Sequence, residues 1–143
     1  MKHRITCLFL IAVLLVVTIV PMISAQTVMP RLNNTSHTST NFTITTAGKA
    51  TISATYDGYY GITTGATITS YIEKRTLGVF WTKVDIGQPN NEWVDISTDY
   101  YDAFGHVVYL DSKGTYRATV VYEIRGTGGA ADIIDYQQER TYS

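Results

Sequence analysis

The chain has 143 residues, of which 11 are Lys or Arg and 12 are Asp or Glu, and it contains one cysteine. This length fits one compact domain better than two. The nearly balanced charge argues against an electrostatic nucleic-acid binder, which would carry a basic stripe, so we expect no nucleic-acid partner. Composition alone does not reveal a specific activity.

The first 25 residues have the organisation of a secretory signal peptide. A basic start at Lys2 to Arg4 is followed by an uncharged, mostly aliphatic segment over residues 5–20. Pro21 then precedes a short segment that ends in a small residue, Ala25. This order of basic, apolar and small residues predicts export from the cell.

Cleavage between Ala25 and Gln26 would release a secreted, extracellular protein. The alternative is an uncleaved signal anchor, because residues 5–23 carry no charge and approach the length that spans a bilayer. Pro21 and the small residues after it favour cleavage. We therefore expect a membrane partner only if the segment is retained.

The exported chain would contain no cysteine, since Cys7 lies within the signal segment. A small secreted domain often depends on disulfides, and this one must depend on its hydrophobic core alone. Such a disulfide-free domain fits export from a cell that seldom uses disulfides, such as a Gram-positive bacterium.

Residues 26–41 are rich in Asn, Ser and Thr and show no apolar periodicity. This composition predicts a flexible leader over residues 26–41, with the folded domain occupying residues 42–143.

From Phe42 onward the sequence alternates apolar and polar residues with period two, which is typical of β-strands. The predicted strands, in chain order, cover residues 42–45, 49–56, 66–74, 80–86, 93–98, 106–110, 115–124 and 132–141. Residues 76–78 predict a hairpin turn between the third and fourth strands. In the fifth strand we expect Val94 and Ile96 to point inward, and we expect residues 100–105 to form a connection.

No segment after residue 25 shows an apolar period of 3.6, and turn signals recur at roughly ten-residue spacing. Seven or eight short strands in this arrangement predict an all-β fold, an antiparallel sandwich or barrel.

The segment Leu110-Asp-Ser-Lys-Gly114-Thr-Tyr116-Arg-Ala118 resembles the tyrosine corner of immunoglobulin-like sandwiches. In that motif a Tyr near the start of strand F bonds the backbone just upstream. Ala118 stands where antibody domains have a cysteine, so an inter-sheet disulfide is excluded. More broadly, residues 42–143 resemble small exported Gram-positive bacterial proteins with a single Ig-like β-sandwich. That resemblance implies a fold and a compartment, and no chemistry, because the function of those proteins is mostly unassigned.

The sequence supplies few groups for catalysis or for cofactors. The glycine-rich segment 126–131 lies too near the end of the chain for a dinucleotide-binding unit and predicts a hairpin turn. A calcium loop at Asp95 to Asp102 lacks the EF-hand glycine and glutamate, which leaves an irregular site as an alternative. A Ser/His/Asp arrangement using Ser97 or Ser112 with His106 also stays open. We expect no enzyme activity, no cofactor and no metal.

Aromatic residues carry the clearest hint of function. Tyr59 and Tyr60 fall in one predicted loop and Tyr100 and Tyr101 in another, while Trp81 falls on the polar side of its strand. Such side chains combine a flat apolar body with a polar group, which suits stacking on sugars or filling a protein interface. The alternative is that they anchor loops against the sandwich.

These observations predict a secreted, non-enzymatic binding module whose ligand is a glycan, the cell wall or a protein. The predicted ligand-binding residues are Tyr59, Tyr60, Tyr100, Tyr101 and Trp81. The alternatives are a secreted effector of the bacteriocin type and a small secreted hydrolase.

Overall fold

The computed structural model describes residues 32–143, which form eight β-strands and one short 3-10 turn at Pro89–Asn91. The strands are β1 (Thr35–Ile44), β2 (Lys49–Gly58), β3 (Thr63–Thr76), β4 (Phe80–Lys83), β5 (Trp93–Ser97), β6 (Tyr101–Tyr109), β7 (Gly114–Gly126) and β8 (Asp132–Tyr142). The all-β prediction is confirmed. The predicted signal peptide and residues 26–31 of the predicted leader lie outside the described residues.

The strands form two antiparallel sheets in a sandwich-like arrangement. One sheet has the order β1-β2-β6, and the other has the order β4-β3-β7-β8. Strand β5 also pairs with β3, along residues 66–70, and β4 pairs with residues 73–76 of the same strand. The long strand β3 therefore holds two short strands, one after the other, along one of its edges.

The core lies between the sheets and follows the period-two pattern of the central strands. In β2, alternate residues from Ala50 to Tyr56 are at most 3% exposed. In β7, alternate residues from Tyr116 to Ile124 are at most 2% exposed. Alternation buries one face of each sheet because successive side chains of a strand point to opposite faces. The remaining core residues are Phe42, Ala66, Ile68, Ile72 and Leu110.

Side-chain hydrogen bonds join the sheets at both edges. At one edge, the backbone amide of Phe42 in β1 donates to Gln138 Oε1 in β8 over 2.9 Å. At the other, His106 Nε2 in β6 lies 2.6 Å from Asp95 Oδ2 in β5. Within residues 32–143, these contacts connect the two sheets at edges where no backbone hydrogen bonds run between them.

The turn between β3 and β4 is a hairpin turn, as predicted. Both Leu77 and Gly78 have positive φ, at 52° and 76°, and the Val79 amide donates to the Thr76 carbonyl over 3.2 Å. Glycine adopts this left-handed conformation freely, whereas for leucine it costs about 1–2 kcal/mol.

The hydrogen bond predicted for the tyrosine corner is present. Tyr116 is only 2% exposed. Its hydroxyl donates a hydrogen bond to the Ser112 carbonyl over 2.5 Å. The bond ties the start of β7 to the connection that follows β6.

Tyr116→Phe is expected to lower the free energy of unfolding by roughly 1–3 kcal/mol, because the Ser112 carbonyl loses its donor. Denaturant unfolding followed by circular dichroism measures this change. Tyr109→Phe is the matched control, since Tyr109 is 68% exposed and its substitution should leave the midpoint in place. Equal midpoints for all three proteins would show that the corner bond contributes nothing.

The structure corrects the predicted boundary between leader and domain. Strand β1 begins at Thr35, so residues 35–41 belong to a sheet and pair with β2. Their Ser and Thr side chains gave no apolar alternation, because an edge strand exposes much of its length and needs few buried residues. The folded domain therefore starts before residue 42.

Two further predictions are wrong. Val94 and Ile96 are 56% and 70% exposed, while Trp93 packs against the core, so β5 presents the opposite face to the one expected. Residues 101–105 belong to β6 rather than to a connection. Both errors fall on strands at a sheet edge, where burial depends on neighbours that the local sequence does not specify.

Candidate functional site

Three of the five predicted site residues form an exposed aromatic cluster. The rings of Tyr60 and Tyr100 are 5.4 Å apart and cross at 84°, and those of Tyr100 and Tyr101 are 4.8 Å apart at 68°. Both pairs have the edge-to-face geometry that aromatic rings prefer. The residues are 85% (Tyr60), 37% (Tyr100) and 56% (Tyr101) exposed. We call these three residues the tyrosine cluster.

The loop that carries Tyr60 is closed by hydrogen bonds to its own ends. The amides of Ile62 and Thr63 both donate to the Tyr59 carbonyl, over 3.0 and 2.9 Å. The Tyr59 amide donates to Thr63 Oγ1 over 2.8 Å, and that hydroxyl donates to the Asn34 carbonyl. The loop is thus a tight turn fastened to the first described residues of the domain.

The loop that carries Tyr100 is held by a buried tyrosine. The Tyr56 hydroxyl donates to the Asp99 carbonyl over 2.6 Å, and the Gly58 amide donates to the Tyr100 carbonyl over 2.7 Å. Burial raises the pKa of Tyr56, so its hydroxyl keeps the proton it donates. Both loops are therefore fixed to the end of β2, which brings the tyrosine cluster together.

Tyr59 lies in the same loop but in a different setting. It is 41% exposed and lines a shallow cavity of about 450 Å³ with Leu32, Asn33, Ile62 and Gly128. This cavity adds a recess with a mixed polar and apolar lining to the end of the domain that carries the tyrosine cluster, which we call the tyrosine end.

Trp81 is not part of this site. It lies on β4, at the opposite end of the β3–β7 pairing from the tyrosine end, where Arg75 and Arg117 stack on its ring. Their guanidinium carbons lie 4.8 and 4.3 Å from the ring centroid. We call the end that carries the β3–β4 turn the hairpin end.

Charge is divided unequally between the two ends. Of the chain's 11 Lys and Arg residues, all but three follow residue 31. The row formed by Ser70, Val120 and Tyr136 across β3, β7 and β8 divides the domain. Toward the hairpin end lie seven of these basic residues and five carboxylates, whereas toward the tyrosine end lie Arg125 and seven carboxylates. The tyrosine end is therefore acidic and the hairpin end basic.

His106 is paired with Asp95 rather than with either serine suggested by the sequence. Its ring also stacks on Trp93, with centroids 4.8 Å apart and planes 3° apart. Ser97 Oγ accepts from the Asp99 amide, and Ser112 Oγ is 2.5 Å from Lys74 Nζ at the hairpin end. The His–Asp pair thus joins β5 and β6 and contacts neither serine.

Within residues 32–143, no group of three or more His, Cys, Asp or Glu side chains is placed to hold a metal ion. Of the carboxylates in the predicted calcium loop, Asp95 bonds His106, and Asp102 Oδ1 accepts from the Ala103 amide. The glycine-rich segment forms the turn between β7 and β8, as predicted. At Gly126 a Cβ atom would come within 2.5 Å of Asn34 Oδ1, so only glycine allows this close approach.

The sequence analysis missed a buried carboxylate that supports the tyrosine end. Asp132, 5% exposed, accepts hydrogen bonds from the amides of Asn33 (2.9 Å) and Asn34 (2.7 Å). Burial alone would raise the pKa of Asp132, but these amide bonds outweigh it and hold the pKa below its usual value. Asn34 in turn bonds the β7–β8 turn, through Ala130 and Gly128. An Asp at the start of a strand, directly after a glycine turn, was the only available signal.

No family model matches the chain, and comparisons with curated proteins and with solved structures found no match. No helix among the described residues has the length and apolar character needed to cross a membrane.

Proposed function

We propose that this protein is a secreted, non-enzymatic binding module that recognises an extracellular ligand with the tyrosine end of an Ig-like β-sandwich. Its signal peptide is cleaved after Ala25, as the basic, apolar and small segments of residues 1–25 suggest. The observation that carries the proposal is the tyrosine cluster, in which loops far apart in sequence bring exposed rings into contact.

The Ig-like assignment draws support from strand order. The orders β1-β2-β6 and β4-β3-β7-β8 correspond to strands A-B-E and C′-C-F-G of Ig-like sandwiches. The Tyr116 bond to Ser112 then lies at the start of strand F, where a tyrosine corner belongs. In such folds the loops at the ends of the sandwich commonly serve recognition.

The chemistry of the tyrosine end suits a glycan of the cell wall or cell exterior. Tyrosine rings offer flat apolar surfaces for the C–H faces of sugars, and their hydroxyls bond sugar hydroxyls. Asp57 and Asp102 flank the cluster, since Asp57 pairs with Tyr101 and Asp102 follows it. Their carboxylates supply acceptors for further sugar hydroxyls.

The hydrogen bonds within both loops also favour binding, because they reduce the entropy that is lost when a ligand binds. A ligand loses affinity when it must order a loop, and these loops are already fixed by the bonds of Tyr56, Thr63 and Gly58. Tyrosine itself loses little side-chain entropy, because only two torsions must be fixed.

The test is a pull-down of residues 26–143 on peptidoglycan and on insoluble polysaccharides, with a Tyr100→Ala, Tyr101→Ala double variant beside it. We expect the double variant to bind roughly tenfold or more weakly, because truncating clustered aromatic contacts removes most of the contact energy. Quantifying bound and free protein over a range of concentrations gives both affinities.

Tyr109→Ala is the matched control, because Tyr109 is an exposed tyrosine on the same strand as Tyr101 but at the hairpin end. Its binding should equal that of the unchanged protein. Equal retention of all three proteins would place recognition elsewhere. Retention of none would exclude these glycans and leave a protein ligand to be sought in culture medium.

A further inference from the structure

We propose that the hairpin end is a membrane-docking site, in which the β3–β4 turn inserts into the surface of a bilayer that contains anionic phospholipid. This site is separate from the tyrosine end and independent of residues 1–25. It rests on the exposed apolar side chains of the turn, on its backbone conformation and on the charges around it.

The turn presents three large apolar side chains to solvent. Leu77 is 88% exposed, Val79 is 70% exposed and Phe80 is 64% exposed. At Gly78, between them, a Cβ atom would meet nothing within 4 Å, so the turn projects into open space. Solvent-exposed turns are usually polar, and an apolar turn of this kind suggests an interaction surface.

The backbone conformation of Leu77 is also unusual for a leucine. Its φ of 52° lies in the left-handed region, where Asn or Gly would be more stable than a leucine. Because Leu77 is exposed to solvent, its side chain gains no packing energy that would compensate for this strain. Strained residues that do not serve the fold are often functional, and here the strained residue carries an apolar side chain that is exposed to solvent.

An aromatic and two cations stand just behind the turn. Trp81 follows Phe80 in β4, and Arg75 and Arg117 stack on its ring. Tryptophan prefers the boundary between acyl chains and headgroups. Arg75 and Arg117 are paired with Glu139 and Glu73, so contacts with lipid phosphates fall to the unpaired basic residues around them. Apolar residues at the tip with an aromatic and arginines behind it follow the depth profile of a bilayer surface.

The charges identify the class of lipid. Among residues 32–143, Lys49, Lys74, Lys113 and Arg140 make no ion pair, and all four lie at the hairpin end. Lys74 and Arg140 flank Tyr116 in neighbouring strands, and Lys113 precedes β7. Clustered basic groups beside an apolar tip are attracted to anionic headgroups, and the acidic tyrosine end is repelled by them. The domain therefore docks with its hairpin end toward the bilayer.

The experiment measures partition of residues 26–143, which include the whole compact unit Arg31–Ser143, onto vesicles by co-sedimentation. The vesicles are phosphatidylcholine alone or phosphatidylcholine with phosphatidylglycerol. We expect binding to the mixed vesicles only, with a shift of tryptophan emission to shorter wavelength as Trp81 enters the interface. Raised ionic strength should weaken this binding.

The decisive variant is Leu77→Asn with Phe80→Thr. Asn suits the left-handed conformation and Thr suits a strand, so this variant should fold at least as well as the unchanged chain. Its partition should fall at least about tenfold, since apolar burial at the interface is lost. The matched control is Ile96→Thr with Ile133→Thr, which removes two exposed apolar side chains from other places and should bind as before.

Three results would overturn the proposal. They are equal binding to both vesicle types, equal loss of binding in both double variants, and no binding by the unchanged protein. Self-association of the unchanged protein that the Leu77→Asn, Phe80→Thr variant abolishes, without vesicle binding, would instead identify the turn as a contact between copies of this chain.

Discussion

A chain that begins at Phe42 is expected not to fold, although it contains every strand predicted from the apolar pattern. It lacks residues 35–41 of β1 and with them most of the backbone pairing between β1 and β2. Strand β2 then becomes an edge with unpaired backbone groups beside a core that solvent can enter.

Two buried groups also lose their partners in this truncated chain. The hydroxyl of Tyr122, a residue 1% exposed, lies 2.5 Å from Thr40 Oγ1 and donates to the Ser39 carbonyl over 2.9 Å. Asp132 loses the amides of Asn33 and Asn34. Each buried polar group left without a partner costs about 1–3 kcal/mol, so these losses together approach the whole stability of a typical domain.

Circular dichroism and thermal unfolding of three chains, beginning at Gln26, Leu32 and Phe42, measure this effect. The first two should show a sheet spectrum and a cooperative transition at the same temperature. The third should show neither. A cooperative transition in the Phe42 chain would mean that β1 is dispensable and that residues 26–41 act as a leader after all.

Asp132→Asn is expected to lower the free energy of unfolding by about 2–3 kcal/mol at neutral pH. The carboxylate accepts from the amides of Asn33 and Asn34, and bonds to a charged acceptor are worth roughly twice those to a neutral one. The asparagine keeps the size of the side chain, and its NH2 group replaces one of the two oxygens that these amides require.

The same substitution should change the response to acid. Because the pKa of Asp132 is lower in the folded than in the unfolded protein, its ionised form stabilises the fold. That contribution is fully present above the unfolded pKa, near 4, and is lost as the pH falls through the folded pKa. The difference in stability between the unchanged protein and Asp132→Asn should therefore be largest at neutral pH and shrink in acid.

Urea unfolding at a series of pH values gives both free energies. Asp135→Asn is the control, because Asp135 is an exposed carboxylate on the same strand, and it should change stability little at any pH. A constant difference between the unchanged protein and Asp132→Asn across the series would show that the charge of Asp132 plays no part.

The central strands of the fold could be predicted from the sequence because the pattern that identifies each of them lies within the strand itself. Strands β2, β3 and β7 have a neighbour on both sides and one buried face, so their residues alternate strictly. The turn at Leu77 and Gly78 could likewise be predicted from local sequence, since a glycine between two strand patterns is a sufficient signal.

The edge strands carry less of this information. Strand β1 has Phe42 as its only fully buried apolar residue, and Trp93 in β5 packs against the core and against the ring of His106 in β6. In both cases the relevant neighbour is remote in the sequence. The same reason explains the missed role of Asp132, whose partners lie nearly a hundred residues earlier.

The candidate site was predictable in composition but not in arrangement. The exposed tyrosines at residues 59–60 and 100–101 could be identified, but not the contact between Tyr60 and Tyr100, which depends on two loops meeting at the end of β2. Trp81 was grouped with them for its residue type and its position on the polar side of its strand, and the fold places it at the other end, beside Arg75 and Arg117.

The positions of the first and last described residues of the domain have a mechanical consequence. The first described residues lie at the tyrosine end, bonded to Asp132, and β8 runs from there to Tyr142 at the hairpin end. Tension applied between Leu32 and Ser143 therefore acts along the strands and loads the β1–β2 and β7–β8 ladders in shear. Many hydrogen bonds must then break together rather than one after another, so a domain tethered by one end and bound by the other should resist extension.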